Sequence, residues 1–87
     1  MEEIAEQTLT QRELTFGEKA VGLSFNPGGL ESVNNIKKVY ADVIDQLNDI
    51  RTGPEAIDGD KARLIAVAIT EAQTAQMWAV KAVTWNL

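Results

Sequence analysis

From Glu31 to Arg51 the apolar residues Val33, Ile36, Tyr40, Val43, Leu47 and Ile50 recur at alternating steps of three and four. That period is helical, and it predicts one apolar stripe along about six turns. Asp42, Asp45 and Asp49 fall on the opposite face. Thr52-Gly53-Pro54 ends the segment, with glycine at the C-terminal cap and proline just beyond it. A loop then runs to about Asp60, the residue expected to cap a second long helix over Lys61–Trp85.

In that second segment Ile65, Ala68, Ala72, Ala75, Ala79, Ala82 and Asn86 keep the same rhythm. A seam of alanine lets another backbone approach closely. Leu64, Glu71, Trp78 and Trp85 form a second line at a spacing of seven, and Ile69, Gln76 and Val83 a third. Trp78 reads as core. A helix apolar on so many sides has to be covered on several of them, which one neighbour of about 20 residues cannot do. Self-association around this helix is the expectation.

Upstream, Thr15 and Glu18 have capping-box spacing, which predicts a short helix over Phe16–Val21, with Gly22 placed to end it. Asn26-Pro27-Gly28-Gly29 is loop chemistry. Residues 1–13, Glu-rich with few apolar anchors, read as an N-terminal arm, and 14–87 as the domain. No stretch alternates with the period of a strand. The fold class is therefore all-α, an antiparallel helical hairpin with a short N-terminal helix, assembled into a compact helical homo-oligomer.

Composition narrows the chemistry. The 87 residues contain no cysteine and no histidine, which removes thiolate sites and the usual general base near neutral pH. Ser24 and Ser32, the only serines, have no histidine to activate them, and no glycine-rich phosphate fingerprint is present. Neither a catalytic nor a metal site is expected, and no cofactor. The net charge of -5 argues against coating DNA or RNA polymers. No apolar run of membrane-spanning length exists, and Met1-Glu2-Glu3-Ile4 lacks the features of a signal peptide. A small cytosolic-type domain remains.

The charge is uneven. Residues 1–18 hold five acids against Arg12, whereas residues 61–87 hold Lys61, Arg63 and Lys81 against Glu71. An anion meets least repulsion in the last third. Lys19 and Arg63 lie near predicted helix N-termini, where free N–H groups already favour phosphate. Phe16 and Phe25 flank a loop where a base has a ring to stack on, although packing under the loop reads equally well for both. Trp85, near the chain end, is a further candidate ring. Asn26 has two even readings, a contact to a base edge or sugar hydroxyl and a local turn before Pro27.

Leu14-Thr15-Phe16-Gly17-Glu18-Lys19-Ala20-Val21-Gly22, Phe25-Asn26-Pro27, Lys61-Ala62-Arg63-Leu64, Ile69-Thr70-Glu71 and Ala75-Gln76-Met77-Trp78-Ala79-Val80-Lys81-Ala82-Val83-Thr84-Trp85 together carry a resemblance. Over residues 14–85 the chain resembles the helical-hairpin domain of two kinds of phage counter-defence protein, the anti-CBASS and the anti-Thoeris sponges. The resemblance implies a non-enzymatic protein that sequesters cyclic nucleotide messengers in the host bacterial cytoplasm, so that immune effectors stay silent. It implies a hexamer with pockets between protomers, for cyclic dinucleotides and, on three-fold axes, for cyclic trinucleotides. By resemblance Arg63 looks like the arginine that starts the final helix and contacts phosphate in a trinucleotide pocket. Phe16, Lys19 and Asn26 are carried over as a stretch near the binding loop.

The chain departs from anti-CBASS relatives in having a longer connection, Phe25 to Gly29, and no tyrosine before Tyr40. Anti-Thoeris relatives are usually longer and carry a β-rich segment. The expected partner is a cyclic oligonucleotide, with a cyclic ADP-ribose-type messenger as the alternative ligand. A helical protein-interaction adaptor with no small ligand is the second alternative.

Overall fold

The computed structural model describes residues 13–87, and within them every regular element is a helix. They are α1 (Phe16–Ala20), α2 (Glu31–Thr52) and α3 (Gly59–Val83). Apart from Glu13, the expected N-terminal arm lies outside the described residues.

The capping box forms as its spacing predicts. The Glu18 amide donates to the Thr15 hydroxyl at 3.1 Å, and the Thr15 amide donates to the Glu18 carboxylate at 2.9 Å. Val21 is the C-terminal cap rather than the last helical residue, and Gly22 turns the chain at φ 63°. Helix α2 runs one residue beyond Arg51 and stops at Gly53.

The cap of α3 is Asp58, not Asp60. Its carboxylate accepts the Lys61 amide at 2.8 Å, so the helix starts two residues earlier than Lys61. At the other end the Thr84 hydroxyl donates back to the Val80 carbonyl at 2.8 Å, and helical geometry is lost after Val83. Trp85 accordingly lies in the turn past the helix.

The core is a small cluster of Val21, Ala41, Ile44, Ile65 and Ile69, with Tyr40, Leu47, Ile57 and Ala72 packed against it. Ile44 is wholly buried. The buried line of α2 is therefore Val33, Lys37, Ala41 and Ile44, rotated from the expected stripe, and Val43 and Ile50 stand exposed. The rotation has a cause: α2 is flanked by α1 as well as α3. Its inner surface is set by both neighbours, and small Ala41 faces Gly17 of α1. A Cβ on Gly17 would stand 2.1 Å from the Ala41 carbonyl oxygen, so only glycine permits this approach.

On α3 the packing line is Ile65, Ile69, Ala72 and Gln76, while Ala68, Ala75 and Ala79 flank it half-buried. Trp78 is not core in the single chain but 65% exposed. Two residues beyond Gln76, it points about 200° around the helix from it. Met77, Leu64 and Val67 share this exposure. No helix among the described residues is long and apolar enough to cross a membrane.

Candidate functional site

The segment after α1 is held by side chains rather than by regular structure. Lys37 reaches back from α2 and donates to the Gly22 carbonyl at 2.9 Å and to the Phe25 carbonyl. Its ammonium also lies 5.6 Å from the centre of the Phe25 ring. Burying an ammonium is costly unless its N–H groups are satisfied, and here two carbonyls of the loop do so. The loop is thereby pinned with the Phe25 ring outward, 72% exposed.

Asn26 is committed within the loop. Its amide nitrogen donates to the Leu30 carbonyl at 2.9 Å, and its amide oxygen accepts the Leu30 amide at 3.3 Å. Those bonds are the local-turn arrangement, and they bridge the residues that lead into α2, with Gly29 at φ 62° between them.

Beside this loop an open hollow of about 420 Å³ lies between α1 and α3, walled by Lys19, Phe25, Lys37, Gln76, Met77 and Val80. A smaller, more apolar one of about 250 Å³ lies on the Asn26 side, bounded by Phe25, Pro27, Val80 and Leu87. Phe25 borders both. The structure thus brings Lys19, Phe25 and Asn26 to one region.

Phe16, Arg63 and Trp85 are elsewhere. Phe16 is half-exposed, with the Arg51 guanidinium 5.2 Å from its ring centre. That guanidinium is in turn held by Asn48, whose side-chain oxygen accepts from Arg51 Nη2 at 2.8 Å. Arg63 is exposed in the first turns of α3, five residues after its Asp58 cap. Trp85 is 73% exposed beyond the other end of the same helix. Glu71 is exposed as well. Among the described residues no group of acids could hold a metal ion.

Two buried polar residues that line the hollow, Lys37 and Gln76, were not among the sequence-based candidates. A lysine between Ile36 and Lys38 looks like solvated charge. The signal in the sequence is its position four residues after Val33 and four before Ala41, on the buried line.

A family model, the Acb2/Tad1 hairpin domain, matches residues 18–84. The match takes in Lys19, Phe25, Asn26 and Arg63, while Phe16 and Trp85 lie just outside it. No curated protein and no solved structure matches. Members of the matched family are binding sponges for cyclic nucleotide messengers rather than enzymes. With the match running from the capping glutamate of α1 to the cap of α3, the chain belongs to the Acb2/Tad1 hairpin family, the anti-CBASS and anti-Thoeris sponges.

Proposed function

We propose that this chain is an anti-CBASS protein that binds and holds cyclic oligonucleotide messengers, cyclic dinucleotides, trinucleotides or both, without cleaving them. The family match over residues 18–84 carries the reading. It acts as a homo-oligomer, a hexamer, in the cytoplasm of the bacterial host. The exposed Met77 and Trp78 support self-association, because an apolar band that its own chain leaves in water is the kind of surface that copies cover.

Binding alone is the mechanism. Arg63 and Lys19 take phosphate, Arg63 with a planar fork and Lys19 as a point charge. Phe25, Trp85 and Phe16 offer ring faces to bases, and Asn26 supports the loop that presents Phe25. To silence an effector the sponge has to bind more tightly than the effector's own sensor. Nanomolar affinity corresponds to about 12 kcal/mol, more than one arginine and one stacked ring supply. Groups from several protomers must therefore enclose one ligand.

The test is to mix the protein with a cyclic di- or trinucleotide, denature it by heat and chromatograph the supernatant. Intact ligand, absent before heating and released after it, supports sequestration; a linear product overturns it. Since the family includes anti-Thoeris sponges, a cyclic ADP-ribose-type messenger belongs in the same melting-shift panel, because a ligand that binds the folded state raises its stability. No shift with any messenger, together with capture of a protein partner, leaves the helical adaptor.

A further inference from the structure

Two polar residues are buried among the described residues, Lys37 at 5% and Gln76 at 6% exposure, and both line the hollow between α1 and α3. Lys37 has its partners in the Gly22 and Phe25 carbonyls. Gln76 makes no hydrogen bond with its side chain within the described residues, yet neither amide atom is sealed from solvent. The little surface it retains thus includes its amide, and the residue forms part of the hollow's wall. Side-chain amides this deep are nearly always hydrogen-bonded; water can reach this one in the free chain, and whatever fills the hollow takes the water's place.

The surroundings indicate what. Lys37 has three N–H groups and uses two of them on the loop. Lys19 stands exposed at the rim, and the Phe25 ring offers a face. Positive charge, an aromatic face and a buried amide match the phosphate, the ring and the hydrogen-bonding edge of a nucleotide. A volume of about 420 Å³ suits a small ligand.

Resting on the sponge reading above, we infer that this hollow, repeated in each protomer, is a base subsite with Gln76 as its specificity-determining residue. The amide reads an adenine edge. Adenine presents a donor, N6, beside an acceptor, N7, and an amide meets both with its C=O and N–H. Guanine presents two acceptors at the same edge, N7 and O6, and sets one of them against the amide oxygen. Lys37, which alone would favour guanine's acceptors, is already turned to the loop carbonyls. Lys19, exposed at the rim, faces phosphate, and Phe25 stacks on the base.

The test titrates cyclic di-adenylate and cyclic di-guanylate by calorimetry into the full chain and into Gln76→Leu and Gln76→Glu. Circular dichroism checks each variant's fold and light scattering its mass. The full chain should prefer the adenine messenger by about tenfold to a hundredfold, the discrimination of a bidentate amide. Gln76→Leu should bring the two ligands to within about twofold, chiefly by weakening the adenine one. Gln76→Glu, which has lost the N–H donor and gained a negative charge, should weaken both.

A full chain that binds the two equally, or a preference that survives both substitutions, overturns the inference while leaving the sponge reading intact. So does a change of mass with an unchanged preference, since the amide then meets a second copy. Should no messenger bind at all, the sponge reading falls and this one with it.

Discussion

Asp45 and Gly17 are joined across 28 residues by a hydrogen bond of 2.7 Å, from the Gly17 amide to one carboxylate oxygen of Asp45. The other oxygen accepts the Thr15 hydroxyl, also at 2.7 Å. A side chain of α2 therefore serves the first turn of α1, where free N–H groups and the helix dipole favour negative charge. A helix of five residues has almost no stability of its own, so it depends on such ties.

Asp45→Ala should lower stability by about 2 kcal/mol, the range for hydrogen bonds to a charged group. In a domain of this size that is a fall in melting temperature of about 10 °C. Thermal denaturation at fixed protein concentration measures it. Asp42→Ala, at an exposed position on the same helix, should change little.

Gly17→Ala should be worse than its single added methyl suggests. The new Cβ meets backbone, the Ala41 carbonyl, and cannot be relieved by a rotamer change. Overpacking of this kind costs about 1–3 kcal/mol or more. Hydrogen exchange should show α1 amides losing protection beyond what the fall in global stability explains.

Ile44→Ala should destabilise by about 2–5 kcal/mol, since the side chain is fully enclosed. Urea denaturation reads it as a shift in midpoint without a change in slope.

Trp78→Glu places a charge in the exposed apolar band while leaving the buried line of α3 untouched. Light scattering should show a mass falling from that of the proposed oligomer towards that of one chain, with helical circular dichroism retained. An unchanged mass would remove Trp78 from the proposed interface.

Arg63→Ala should weaken a cyclic trinucleotide by about tenfold or more, the worth of one charge-assisted contact. The melting temperature without ligand should hardly move, because Arg63 is exposed. Calorimetry with and without added salt checks both, as salt screens exposed charge pairs.

The helices were legible because their punctuation is local. Thr15 with Glu18, and Gly53 with Pro54, act within a turn of where they stand, and the structure bears them out. What escaped depends on partners far along the chain. Asp45 sits with Asp42 and Asp49 on the polar side of a periodic pattern, and nothing nearby in sequence says that α1 docks there. Lys37 is buried because it meets a loop 12 residues away, and Gln76 because it lies on the packing line of α3, whereas their polar side chains alone read as solvated. Val43 and Trp78 failed the other way: their apolar character is real, but their own chain leaves them exposed. The site was half legible, since the Phe25–Asn26 loop was found from its turn chemistry and the buried lysine that fixes it was not.

Ile44 belongs to a cluster fed by the end of α1, the middle of α2 and the start of α3. No helix can peel away without wetting what the other two enclose. The hairpin and its short leader consequently melt as one, and a probe on Trp78 should report the same midpoint as the backbone itself.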